Sequence, residues 1–154
     1  MPISAVYPSL YGLEFIKRYQ GLSLEKYQDA DNLWLIGYGH LIRDREYFDA
    51  PLTPQQAEAI FQADVDYYQQ VLRQCIHVPL TQCQFDALLS LAFSLGPEAV
   101  QQSPIVYWIN HGDMNQALAE WQREGERESS LAGQRQAESA LFQTGGLRDI
   151  PIIE

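Results

Sequence analysis

The chain has 154 residues, 46% of them hydrophobic, with six Phe, nine Tyr and three Trp, enough apolar material for one domain with a core. Twenty acidic residues against ten basic ones give a net charge of −10, which repels polyanions and excludes nucleic acid as an expected partner. No apolar run approaches the ~18 residues of a membrane span, and residues 1–11 lack the basic and apolar regions of a cleavable secretion signal. A cytoplasmic protein is therefore expected, unless a holin or a dedicated secretion system carries it out.

A first helix is predicted over Leu10–Tyr19, with Leu13 and Ile16 turned inward. Residues 24–42 read differently. Tyr27, Leu33, Trp34, Ile36 and Tyr38 surround the turn chemistry of Asp29-Ala30-Asp31-Asn32, and glycines stand at 37 and 39, which predicts a small antiparallel sheet. Thr53-Pro54-Gln55-Gln56 is a capping box with proline at the first helical position. It opens an apolar stripe of Ala57, Ile60, Phe61, Tyr68, Val71 and Leu72 that Asp64 interrupts. Thr81 and Gln84 repeat the box ahead of Phe85, Leu88, Leu89, Ala92 and Phe93, and Gly96-Pro97 ends that helix. Asp113 with Gln116 opens another helix, carrying Ala117, Leu118 and Trp121, and a last one is predicted over 134–142, ending at Gly145-Gly146. The expected class is α+β, mostly α. One domain spans 1–154: first helix and sheet over about 9–45, helical body over about 53–145, and an irregular tail, 146–154. Cys75 and Cys83 lie eight apart, neither a zinc spacing nor a disulfide framework, so free thiols are expected, with no metal and no cofactor.

The segment Ile16-Lys17-Arg18-Tyr19-Gln20-Gly21-Leu22-Ser23-Leu24, then Tyr27-Gln28-Asp29, then Trp34-Leu35-Ile36-Gly37-Tyr38-Gly39-His40 resembles the start of the phage-type lysozymes, glycoside hydrolase family 24. Gln84-Phe85-Asp86-Ala87-Leu88 with Ala92-Phe93 resembles the family's central buried helix. Gln134-Arg135-Gln136-Ala137-Glu138 followed by Leu141-Phe142 is similar to its closing helix. The resemblance covers almost the whole chain. It implies a lysozyme-like fold and a peptidoglycan muramidase site built on Glu, eight residues, Asp, five residues, Thr. At those spacings this chain carries Gln20, Asp29 and Leu35.

Each substitution bears on chemistry. Inverting hydrolysis needs a carboxylic acid to protonate the leaving oxygen and a second carboxylate, roughly 6.5–9.5 Å away, to activate water. An amide at position 20 keeps the shape but has no proton to give, and loss of acid–base help costs typically ~10²–10⁴-fold. Leu35 replaces the hydroxyl that, in the family, helps to hold the attacking water. The family's closing helix also offers an arginine that pairs with the catalytic glutamate, and Gln134 stands at the matching position. An ion pair replaced at both ends by amides strands no charge.

Other readings stand beside these. Asp29 is either a surviving base or a cap of its own turn, the turn being favoured. His40 and Tyr27 belong to the cleft and its surround, His40 mainly as a structural hydrogen-bond partner. His77 and His111 fall in connecting stretches. Glu14 lies about 240° around the first helix from Gln20, and Glu25 reaches the cleft only with a changed loop. Trp34, Trp108 and Trp121 either stack on sugars or, as their apolar company suggests, fill the core. Tyr67, Tyr68 and Gln55, Gln56, Gln62, Gln69 and Gln70 form either a solvated or a partner-docking helix face. The expected function is a catalytically inactive lysozyme-like domain that binds a protein partner or a peptidoglycan strand. The alternatives are an active muramidase with a relocated acid, and an engineered Glu-to-Gln lysozyme, which leaves Leu35 and Gln134 unexplained.

Overall fold

A computed structural model describes Ala5 and residues 7–144. The expected Gly145-Gly146 stop and the irregular tail lie outside the described residues. The element order is α1 (Leu10–Gln20), β1 (Ser23–Gln28), β2 (Trp34–Gly37), β3 (His40–Leu41), α2 (Pro54–Cys75), α3 (Gln82–Leu95), α4 (Pro97–Gln101), α5 (Pro104–Asn110), α6 (Met114–Arg127), a 3₁₀ turn (Ser129–Leu131) and α7 (Ala132–Gln143). The class is α+β, mostly α. No helix among the described residues is long and apolar enough to cross a membrane. The chain divides into two compact units, one of residues 17–67 and one of 1–16 with 68–154.

In the 17–67 unit, the sheet runs β1-β2-β3, antiparallel throughout. Gly37 and Gly39 adopt φ of +68° and +70°, a region costly for residues with a Cβ, so the Gly-Tyr-Gly spacing is what lets β2 turn into β3. Ile36, Leu52 and Ala57 form the core, flanked by Leu24, Tyr38, Ile42, Phe48 and Ile60. Thr53 and Gln56 exchange the two hydrogen bonds of a capping box, at 2.9 and 3.1 Å. Lys17 is drawn inward: its Nζ is 2.7 Å from Glu58 Oε1 and lies over the Tyr38 and Phe61 rings at 5.3 and 5.2 Å.

In the other unit, α7 packs on α3 and α6, and α6 on α5. The Thr81–Gln84 capping box is complete, and Asp113 accepts from the Gln116 N–H at the start of α6. Two short helices, α4 and α5, occupy a stretch in which no element was predicted. Each begins with proline and is too short to show helical periodicity. Ser9 caps α1 through the Gly12 N–H, at 3.0 Å, and gives both its own N–H and its hydroxyl to the buried Asp86, at 2.9 and 2.5 Å. A Cβ at Gly12 would overlap the Asp86 carboxylate. Gly12→Ala is therefore expected to destabilise: overpacking costs about 1–3 kcal/mol against a helix-propensity gain of about 1 kcal/mol. Urea denaturation should show the loss, and an Asp86→Ala background, which removes the carboxylate but keeps the Cβ 2.9 Å from the added methyl, should shrink it.

Two expectations about surfaces need correction. Only Trp121 of the three tryptophans is fully buried. Trp34 is 44% exposed, because it opens β2 beside the 29–33 turn, and its ring face takes Lys26 Nζ at 5.3 Å instead of core side chains. The glutamine-rich stretch of α2 is not one continuous face either. Gln69 is buried, Tyr68 packs on Phe93 with ring centroids 4.9 Å apart, and Gln62 donates to Glu58 at 3.0 Å.

Candidate functional site

Five of the residues singled out in the sequence, Gln20, Tyr27, Asp29, Leu35 and His40, lie in the 17–67 unit. Gln20 is the last residue of α1, and Gly21 leaves the helix with φ +73°. The half-buried Gln20 side chain sits against Gly39: a Cβ there would collide with its amide oxygen. The second glycine of Gly-Tyr-Gly thus serves both the turn and the seat of residue 20.

Asp29 closes the turn between β1 and β2. Its Oδ1 accepts from the N–H groups of Asp31 and Leu33, at 2.9 and 3.0 Å, and Asn32 takes a left-handed φ of +64°. Burial, and then the Asp29 charge, hold the Tyr27 hydroxyl above its ordinary pKa. Leu35 is half-buried in the middle strand, paired with Tyr27 on one side and Leu41 on the other. Cross-strand partners project from the same face, so Tyr27, Leu35 and Leu41 form a row with the Tyr27 hydroxyl as its one polar group.

His40 is buried, with Nδ1 2.8 Å from Asp64 Oδ2 and Nε2 3.0 Å from Glu46 Oε1. Both ring nitrogens face acceptors, a pattern that only the imidazolium satisfies. Asp64 is the residue that breaks the apolar stripe of α2, and His40 is the reason. Burial alone would lower the His40 pKa, but the bonds and charges of Asp64 and then Glu46 outweigh it, and the net shift is upward from 6.5. A histidine with a raised folded-state pKa adds stability that is complete below its unfolded value and is lost as pH rises through the folded one. Urea midpoints should accordingly fall as pH climbs above 6.5, and His40→Asn should flatten that slope.

Gln134 lies in the other unit, where its amide nitrogen is 3.3 Å from Glu138 Oε2 and 3.5 Å from Ser90 Oγ. Glu138 is fully buried and central to a network that sequence reasoning did not pick out. It accepts from Ser90 Oγ at 2.5 Å, Trp121 Nε1 at 3.1 Å and Arg135 Nη2 at 2.7 Å. Arg135 Nε lies 2.6 Å from Glu138 Oε1, though without the alignment of a hydrogen bond. Burial raises the Glu138 carboxyl above its ordinary pKa, against the pull of Arg135 and the Ser90 and Trp121 donors. The i,i+3 spacing of Arg135 and Glu138 was the available signal; Glu46 left none. Among the described residues no cluster of three or more His, Cys, Asp or Glu is placed to hold a metal.

A helix ending against a glycine-turned three-stranded sheet, followed by a helical body, defines a lysozyme-like muramidase domain. The chain belongs to the phage lysozyme family, whose model matches residues 17–138. It is 39% identical over 141 residues to an endolysin of Acyrthosiphon pisum secondary endosymbiont phage 1, covering 86% of this chain and 95% of that one. Among solved structures it is similar to the muramidase domain of SpmX from Asticaccaulis excentricus, at 33% identity and a TM-score of 0.76, over 88% of this chain and 97% of that one. The endolysin of Escherichia coli O157:H7 phage FAHEc1 matches at 28% identity and a TM-score of 0.76, over 92% and 96% of the two chains. Membership implies peptidoglycan as the polymer for which such a site is built.

Proposed function

We propose that this protein is a pseudo-muramidase, a lysozyme-family domain that binds without cutting. The observation that carries the reading is the residue set at the family's catalytic spacing: Gln20 in place of the acid, Asp29 retained, Leu35 in place of the hydroxyl. Gln20 has no ionisable proton, so the leaving oxygen would depart as an alkoxide, the step that general acids exist to avoid. Asp29 alone can at most polarise a water, and Leu35, at the family's hydroxyl position, offers that water no hydrogen bond. Gln134 at the place of the family's pairing arginine supports the same reading, because an acid and its cationic partner are replaceable together without stranding a charge.

Of the two ligand classes, a protein partner is favoured over a glycan strand. The charge of −10 sets the domain against anionic wall polymers, and the row of Tyr27, Leu35 and Leu41 offers sugar hydroxyls little to bond. The test is muropeptide release from purified sacculi, read by mass spectrometry. The natural protein is expected to release nothing above buffer. Release at the rate of an ordinary lysozyme would overturn the reading, and changing Glu14 and Glu25 in turn to Gln would then locate the acid.

A further inference from the structure

The loop between β3 and α2 carries Tyr47, the most exposed large apolar side chain among the described residues, at 80%. Concavities flank it on both sides, and Tyr47, Phe48 and Asp49 line both. One, of about 550 Å³, lies between the loop and the first turns of α2, where Pro51, Ala59 and Ile60 form its walls. The other, of about 230 Å³, runs toward the sheet and reaches Trp34 and Lys26. A projecting phenol beside an apolar groove on one loop is self-complementary: a two-fold rotation carries each projection to the other copy's groove.

Charge selects the same surface. Residues 17–52 hold five basic side chains (Lys17, Arg18, Lys26, Arg43, Arg45) against six acidic ones (Glu25, Asp29, Asp31, Asp44, Glu46, Asp49), a balance of −1. The rest of the chain carries the remaining −9, five basic against fourteen acidic. Two copies, each at −10, therefore meet with least repulsion here. The loop also mixes signs at its rim, with exposed Arg43 and Arg45 beside exposed Asp44 and Asp49, so a two-fold mate presents opposite charges to each. A strongly basic partner would instead be drawn to the acidic remainder of the chain.

We propose that this loop is a self-association surface. Two copies of the chain meet about a two-fold axis, each Tyr47 seated in the groove that the other forms between its 48–52 segment and the start of α2. The proposal is independent of whether the domain hydrolyses glycan.

Sedimentation of the full-length protein over a concentration series tests it. A monomer–dimer equilibrium is expected, and Tyr47→Glu should weaken it by ~30-fold or more, the loss typical of a central aromatic anchor. Tyr107→Glu, at a residue 53% exposed in the other unit, should leave it unchanged. A photoreactive phenylalanine analogue at position 47, in mixed heavy- and light-labelled protein, should crosslink to residues 48–60 of a second copy. A chain that stays monomeric throughout overturns the proposal. So does a dimer indifferent to Tyr47→Glu, a crosslink to another segment, or growth beyond the dimer.

Discussion

The double variant Gln20→Glu, Leu35→Thr is expected to release muropeptides from purified sacculi at least ~100-fold faster than the natural protein, the lower end of what a positioned acid contributes. Glutamate is nearly isosteric with glutamine, so position 20 keeps its seat against Gly39. Threonine on the middle strand returns a hydroxyl to the row shared with Tyr27 and Leu41. Asp29 is already present, and the turn's N–H donors both go to its Oδ1, which leaves the other oxygen for water. Asp29→Asn in the double variant should abolish the gain, as expected if Asp29 is the base. A double variant that folds, as judged by circular dichroism, yet stays at the natural baseline would show that more than the catalytic set has been lost.

Removing one partner of the Arg135–Glu138 pair should be the most damaging substitution for stability. Glu138 is fully buried and Arg135 is 2% exposed, so Glu138→Ala leaves a guanidinium without its counter-ion and strips the acceptor from Ser90 and Trp121. Breaking a buried pair in this way costs about 3–5 kcal/mol, whereas replacing both partners with apolar residues is often neutral. Urea denaturation of Glu138→Ala, Arg135→Met and the pair Arg135→Met, Glu138→Leu should show two large losses and a substantial recovery. A loss below about 1 kcal/mol in both single variants would mean that the network contributes little. Gly125 belongs to the same arrangement: a Cβ there would come within 3.1 Å of Arg135 Cβ, so the close approach of α6 to α7 depends on its absence.

Much of this molecule was legible in one dimension because the signals are local. Capping boxes at Thr53 and Thr81, the Asp113 cap and the stops at Gly96 act over three or four residues, and the structure places helix ends where they predict. The Gly-Tyr-Gly turn and the Asp29 loop are likewise local, and family membership made the substituted positions 20 and 35 stand out. The helices α4 and α5 were missed because five and seven residues are too few to establish a period. Trp34 was misread because composition near a residue does not say whether the fold reaches it.

What the sequence by itself determined is the class, the family and the identity of the three residues at the catalytic spacing, all of which follow from residue type and separation along the chain. Only the tertiary structure decided which polar residues are partners. Asp64 and Glu46 converge on His40 from 24 and 6 residues away, and Ser90 and Trp121 reach Glu138 from 48 and 17. Separations of that kind carry no period and no cap. Such pairings exist because a folded interior must satisfy nearly all of its buried polar groups, and which group satisfies which is settled only when the elements pack.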